Sequence, residues 1–406
     1  MKVLYFGTVC NIQSYNKRVE HCSYKPSVAP LLFETALLNG FKENGMNIDI
    51  LSFPMIPTFP AGKALFFGGN TEQLSCGYSC CWLRTINLPF LKQISRRLDA
   101  RRLLKKWLKE NADDGIVFTY SIPPFLVKDI LRYAEKYNVK TVAIIPDLLR
   151  DMYINESQTS FITRIKNRSL STALELQGEY DGYVYLTEAM RDVVAPLKPS
   201  IVMEGIADVS DVAEPAVSEK SFPRAVMYAG MLHEKYGVIN LLDAFEMMNV
   251  ENAEIWLFGE GTAVAEIMKR SAINKKIRYF GSVTHDEIIS FERKATLLVN
   301  PRSVDDEFTK YSFPSKTIEY MLSGTPVLTT KLQGIPEEYF EYVFSVPGNT
   351  PDVLARKIES IMNCSAEELC DFGKRAQRFI REEKNARRQS AKISDFLGEV
   401  KYDVQD

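Results

Sequence analysis

The chain has very little histidine, three residues in 406, and no apolar run approaching the ~18 residues that span a bilayer. The first shortage leaves few side chains that titrate near neutrality, and the second excludes a transmembrane helix. The first apolar run, Lys2–Gly7, continues as Thr8-Val9-Cys10-Asn11 without a Gly-x-Gly-x-x-Gly signature, which argues against a dinucleotide-dependent oxidoreductase. No Asp-x-Asp pair is present to hold a divalent cation, so no metal and no cofactor beyond a substrate is expected. Charge of one sign is also lacking: a formal −2 excludes a globally basic nucleic-acid binder. The opening apolar run is too short for a signal peptide, and Cys10–Tyr15 offers no small-residue cleavage site. Seven cysteines, odd in number and unevenly spread, suit free thiols in a reducing cytosol. Cys76-x-x-x-Cys80-Cys81 lacks the second ligand pair that structural zinc requires.

What is present is an ordinary globular balance, 46% hydrophobic and 25% charged, in a chain long enough for two cores. Short β-rich runs alternate with helical stretches from end to end. Lys2–Gly7, Asn47–Phe53, Ile116–Tyr120, Lys140–Ile145 and Gly182–Leu186 read as strands, with Val28–Asn44 a helix closed by Gly45. The rhythm restarts with Ala225–Ala229, Ala253–Phe258, Lys276–Phe280, Thr296–Asn300 and Val327–Thr330. The expected fold class is therefore α/β, two Rossmann-like doubly wound domains facing across a cleft. We expect an N-terminal domain over 1–203, an acidic, proline-containing linker over 204–223 and a C-terminal domain over 224–385. The remaining 386–406 reads as a helix without a strand partner, packing back on the N-terminal domain. Residues 54–82, rich in Pro, Gly and Phe, read as one long loop.

The most informative stretch is Tyr311-Ser-Phe-Pro-Ser-Lys-Thr-Ile-Glu-Tyr-Met-Leu-Ser-Gly-Thr-Pro-Val327. Pro314 and Ser315 open a helix and Gly324 closes it, so Ser315 and Lys316 stand where free N–H groups favour a phosphate. Glu319 lies one turn on, on the same face as Ser315. By itself this also describes an ordinary capped helix with a surface glutamate. Three further strand ends join it: the loop with Gly230, His233, Lys235 and Gly237, the run Trp256-Leu-Phe-Gly-Glu-Gly261, and Ile277-Arg-Tyr-Phe-Gly-Ser-Val283.

On these residues the sequence resembles the retaining glycosyltransferases of family 4 (group 1), which have the two-Rossmann GT-B fold. The likeness covers the second half and, more loosely, the first. There, Tyr180-Asp-Gly-Tyr-Val-Tyr-Leu-Thr-Glu-Ala-Met190 and Ile201-Val-Met-Glu-Gly205 look like relatives that build bacterial surface polysaccharides. The resemblance implies that Glu319 binds a nucleotide ribose and the Phe313–Lys316 tip a diphosphate. It implies that the backbone of Val283 touches the base and that Gly7 lies beside the diphosphate. The chain departs from the family at Met231, where arginine is common, at Tyr236, where lysine is common, and at Tyr311, which replaces the first of two glutamates. Lys316 and Lys235 are left to supply the charge that a diphosphate requires.

No nucleophile stands out. The first-domain position where relatives often carry a histidine falls near Thr119-Tyr120-Ser121. The catalytic candidates are His233, Tyr120 and Asp147, although His233 reads equally as a loop hydrogen-bonder and Asp147 as an acceptor-side or structural residue. The function implied is transfer of a hexosyl-type sugar from a UDP- or GDP-sugar to a glycan or polyprenyl-linked acceptor, in the cytoplasm. A nucleotide-sugar epimerase and a non-catalytic scaffold are the alternatives. Finally, 92–109 holds eight basic groups and one acidic in a chain of formal charge −2. With the stripe Leu91, Ile94, Leu98, Leu104 and Leu108, it reads either as a solvated helix or as a contact with an anionic membrane. Trp107 is its one aromatic residue, which disfavours nucleic acid.

Overall fold

A strand buried on both faces needs an unbroken apolar run, and Val3–Phe6 supplies one within Lys2–Gly7 (β1). The computed structural model describes residues 1–150, 161–207, 209, 220 and 222–402, so most of the expected linker lies outside the described residues. From β1 the chain passes through Ile12–Val19 (α1) and Ala29–Glu43 (α2) to Ile48–Ser52 (β2), which pairs parallel with β1. Four short strands follow, Phe66–Phe67 (β3), Thr71–Gln73 (β4), Ser79–Trp82 (β5) and Thr85–Ile86 (β6), and then the helix Leu91–Glu110 (α3). Gly115–Tyr120 (β7), Val127–Lys136 (α4), Lys140–Ile145 (β8), Phe161–Leu176 (α5), Gly182–Tyr185 (β9), Ala189–Val194 (α6) and Ser200–Val202 (β10) continue the alternation. The sheet runs β10-β9-β8-β7-β1-β2-β5-β4, parallel except at its β4 edge. Its order reverses at β1 and β7, so the carboxyl ends of these strands frame a crevice where such sheets bind ligands.

Residues 54–82 are not one long loop. The alternation in β5 buries Cys80 and Trp82 in one core and turns Cys81 toward the other, and β5 joins the sheet beside β2. Gly77, at φ +81°, lets β4 turn into β5. Four residues after a Gly- and Pro-rich approach are too few to show a period of two. Because Cys80 and Cys81 face opposite ways, the three thiols do not converge.

The helix α3 also differs from its apolar stripe. Lys92, Arg96, Asp99 and Ala100 share its buried face with Leu104, Trp107 and Leu108, while Ile94 and Leu98 are 53% and 61% exposed. Backbone carbonyls decide this: Lys92 donates to Ile56 O and Arg96 to Pro54 O, tying down residues 54–58. Burial, with the Arg96 charge beside it, pulls Lys92 down to about 7.

The second unit begins at Arg224–Ala229 (β11). It continues through Val238–Met247 (α7), Ala253–Phe258 (β12), Val264–Ile273 (α8), Ile277–Gly281 (β13), His285–Lys294 (α9), Leu297–Asn300 (β14) and Lys316–Leu322 (α10). Val327–Thr330 (β15), Phe344–Val346 (β16), Pro351–Met362 (α11) and Ala366–Glu383 (α12) complete it. Its all-parallel sheet runs β13-β12-β11-β14-β15-β16, and the order reverses at β11 and β14. Alternate residues of β11 feed two cores, Val226 and Tyr228 on one face, Ala225, Met227 and Ala229 on the other.

The last helix, Ala386–Tyr402 (α13), belongs to the first unit. That unit comprises Met1–Ile206 with Ala386–Asp406, and the second comprises Ala207–Asn385. Ile393, Phe396, Leu397 and Val400 enter the first-unit core. Gly40 permits the approach of α13 to α2, since a Cβ there would stand 2.1 Å from Ala386 O. Among the described residues, no helix is long and apolar enough to cross a membrane, and no group of three His, Cys, Asp or Glu side chains is placed to hold a metal ion.

Candidate nucleotide-sugar site

The loop after β11 is drawn tightly over the end of the second sheet. A 3-10 turn, Glu234–Tyr236, is closed by Gly237 at φ +78°, where a Cβ would lie 1.8 Å from Pro301 O, just beyond β14. Only glycine fits this left-handed, crowded position. Gly230 meets the loop after β12 as closely: a Cβ on Gly259 would stand 1.9 Å from Gly230 O. Gly259 N–H in turn donates to Gly281 O at the end of β13. Peptide groups therefore pass from Gly230 through Gly259 to Gly281, two residues before the half-buried Val283.

The short helix α10 is fixed to the same edge by one side chain. The Tyr320 hydroxyl accepts from Ala229 N–H at 2.8 Å and donates to Ala229 O at 3.0 Å, satisfying both backbone groups where the β11 ladder ends. This sets Ser315, Lys316 and Glu319 beside the Gly230 loop. Ser315 is the N-cap, and its hydroxyl makes no capping bond. Lys316 Nζ and Glu319 Oε1 pair at 2.7 Å, both partly exposed.

Lys235 is exposed, its ammonium 5.1 Å from the centre of the Tyr236 ring. Arg302 lies over the same ring at 5.2 Å and adds a cation that sequence spacing did not single out. Met231 is exposed at the point where the resemblance implies arginine, and Tyr311 ends the 3-10 turn Glu307–Lys310. His233 Nδ1 accepts from Thr262 N–H at 3.2 Å and lies 3.1 Å from Thr262 Oγ1, so the ring stitches the loops after β11 and β12 together.

A second residue that sequence reading missed is Glu292 on α9, only 1% exposed. Neither carboxyl oxygen has a hydrogen-bond partner among the described residues. Burial, then the negative charge of Glu319, holds its carboxyl well above the usual range, with Lys316 opposing. Its signal lies in a contact between helices, invisible to local spacing.

In the first unit, Gly7 ends β1 over another buried carboxyl. A Cβ on Gly7 would lie 1.9 Å from Glu34 Oε2. Thr8 N–H donates to both Glu34 oxygens at 2.9 Å, the Thr8 hydroxyl donates to Oε1, and the Tyr5 hydroxyl donates to Oε2 at 2.8 Å. Burial pushes Glu34 up to about 7 against these donors. Tyr120 ends β7 across the same reversal, and burial raises its phenol far above its ordinary value, so it stays protonated. Asp147 is exposed just after β8 and contributes to that rise. The structure thus gathers Gly230, Lys235, Ser315, Lys316 and Glu319 at one reversal, and Gly7 with Tyr120 at the other.

The fold is that of the GT-B proteins, and residues 223–364 match the family model described as glycosyl transferases group 1. The matched domain and the fold support a glycosyltransferase. Among solved structures, the chain is similar to sucrose-phosphate synthase from Thermosynechococcus elongatus, at 13% identity over 98% of this chain and 99% of that one, with a TM-score of 0.66. It is likewise similar to Anabaena HepE in complex with UDP, at 14% identity over 98% and 100%, TM-score 0.61. The apo lipopolysaccharide outer core galactosyltransferase WaaB matches at 12% identity over 98% and 99%, TM-score 0.59. No curated protein sequence matches the chain.

Proposed function

We propose that the chain moves a hexosyl group, with retention, from a UDP-sugar held by the second unit to a hydroxyl of a glycan or lipid-linked acceptor. The observation that carries this reading is the Tyr320–Ala229 anchor, which seats Lys316 and Glu319 against the Gly230–Gly237 loop at the reversal of the second sheet. Glu319 receives the ribose hydroxyls, and Lys316 with Lys235 and Arg302 faces the diphosphate. The backbone at Val283 meets the base. UDP is favoured over GDP because the HepE complexes hold UDP or UDP-glucose. In this reading the chain works in bacterial polysaccharide assembly at the cytoplasmic face of the membrane; the likeness to the lipopolysaccharide outer core galactosyltransferase WaaB supports the polysaccharide role.

The chain's own chemistry favours positioning and charge over a covalent intermediate. Tyr120 is held protonated and His233 Nδ1 is committed to Thr262, so neither is poised as a nucleophile. With no Asp-x-Asp in the sequence, transfer is expected to survive EDTA; activity abolished by EDTA and restored by Mg²⁺ would refute that.

Thermal stability against UDP, GDP, ADP and their sugars tests the donor site. A ligand at a hundred times its Kd stabilises the fold by about 2.7 kcal/mol. Stabilisation by uridine species that Glu319→Ala removes supports the reading. Silence across the panel, with the protein folded, sinks it and leaves a scaffold.

The outer face of α3 is the side of the first unit that we read as meeting an anionic membrane. Phe66, 69% exposed, shares a hollow of about 710 Å³ with Leu98, and Arg84 and Arg102 stand at its rim. Leu65, Leu91 and Ile94 are exposed as well. Arg97 and Arg101 pair with Asp129, so fewer cations face outward than the sequence count implies. Sedimentation with anionic vesicles, lost in a Phe66→Glu, Leu98→Glu double variant, is the expected result; equal pelleting of both proteins discards the reading.

A further inference from the structure

Glu292 is a carboxyl placed where a carboxylate is unwelcome, and its surroundings are built to keep it there. The α9 helix starts at a Thr284–Glu287 capping box, and the Glu292 carbonyl accepts from Thr325 Oγ1 at 2.7 Å. Lys220 Nζ donates to both Thr325 Oγ1 and Arg293 O. Phe291, the preceding residue, packs on Trp256, Phe258 and Phe280. The backbone is therefore fixed, and the buried side chain lies within reach of the Glu319 and Lys316 charges on α10. The charged and titratable groups facing it are Glu319 and Lys316 on α10, Tyr320 beside them, and Arg293 on its own helix.

Lys316 and Arg293 match the two carboxyls in number, yet neither cation reaches the Glu292 carboxyl, whose two oxygens have no hydrogen-bond partner among the described residues. The Lys316 ammonium is already given to Glu319 at 2.7 Å. An ionised Glu292 would be a buried charge without a donor, next to a like charge, which is strongly destabilising. A proton on Glu292 removes both problems, because a carboxyl O–H can donate to the neighbouring carboxylate in a charge-assisted bond.

We propose that Glu292 is a positioning residue of the nucleotide site: protonated, it donates a hydrogen bond to Glu319 and holds that carboxylate ready for the hydroxyls of a ribose. This rests on the donor reading above. It explains how one helix tip serves two ends of a nucleotide. When a diphosphate draws Lys316 away, Glu319 loses its ion-pair partner, and the Glu292 O–H remains to fix its orientation. The outward lone pairs of Glu319 then face the ligand.

The test compares Glu292→Gln, which keeps a donor, with Glu292→Leu, which keeps bulk and removes the polar group; Glu292→Met replaces the latter should it not fold. The probes are UDP, GDP and ADP in titration calorimetry, with Tm recorded for each variant. In Glu292→Gln, affinity is expected to stay within about twofold of wild type. In Glu292→Leu it is expected to fall about tenfold or more, while Tm holds or rises, since an apolar replacement relieves desolvation. KM for the donor should rise with kcat little changed. Infrared difference spectra at pH 7 should show a protonated-carboxyl band in wild type that Glu292→Gln lacks. An unchanged affinity in the leucine variant, a glutamine variant as weak as leucine, or absence of that band overturns the proposal, even where nucleotide binds. If none of the three nucleotides binds wild type, the donor reading falls first and the positioning role falls with it.

Discussion

The two sheets reach their reversal points by the same route and close them with different chemistry. In the first unit, the turn after β1 sits on the buried Glu34 carboxyl, which takes the Thr8 N–H and two hydroxyls. In the second, the end of β11 is closed by a neutral phenol, Tyr320, and by the contact of Gly230 with Gly259. The first arrangement commits the amide that could receive an anion and places a like charge below it whenever Glu34 ionises. The second leaves its loop among Lys235, Arg302 and Lys316. Two similar frameworks therefore differ in which sign of charge they welcome, and the difference rests on one residue in each.

Four substitutions would break or sharpen that contrast. The largest expected effect is Gly7→Ala, because the new Cβ falls on Glu34 Oε2, and that carboxyl can yield only by giving up its bonds from Tyr5 and Thr8; overpacking of this kind costs about 3 kcal/mol in urea denaturation. Next is the pH dependence of Glu34. Its folded value is raised from 4.5 to about 7, so its contribution is fully present below about 4.5 and is lost as pH rises through about 7. Wild-type stability should thus fall by roughly 3 kcal/mol across that window relative to Glu34→Gln. Parallel pH profiles for the two proteins would show that folding leaves the proton affinity of Glu34 unchanged. Tyr320→Phe leaves Ala229 N–H and C=O buried without partners, and we expect a loss of about 2 kcal/mol together with weaker nucleotide binding. A loss of stability with binding intact would detach α10 from the donor site. The smallest effect, about 0.5–1 kcal/mol, is expected for His233→Ala, which loosens a half-exposed loop contact; abolished transfer with normal donor binding would instead make His233 catalytic.

Much of this was legible in the amino-acid order. Lys2–Gly7, Lys140–Ile145, Ala253–Phe258 and Val327–Thr330 form strands at the expected residues, because apolar runs buried on both faces have few other uses. The Ser315–Glu319 spacing and Gly237 were readable for the same reason, since local geometry demands them. Glu34, Glu292, Arg302 and the double role of Tyr320 were not. Each matters through a partner that is 26 or more residues away along the chain, or on another helix. The buried face of α3 was misread because Lys92 and Arg96 are buried by the carbonyls of Ile56 and Pro54, and no periodicity rule anticipates such acceptors.

The Ala207–Asn385 unit is inserted within a unit that is completed only by α13. Its two ends lie side by side, with Ala207 N–H donating to Lys384 O at 3.0 Å. During synthesis the second unit can leave the ribosome whole, while the first, though begun earlier, waits for its last helix. At ~5–20 residues per second that wait is roughly 10–40 s. Throughout it, the surface of α2 at Gly40 and Asn44 that Ala386, Arg387 and Ser390 will cover stands open. A nonsense codon just before α13 would therefore strand the half made first and spare the half made second.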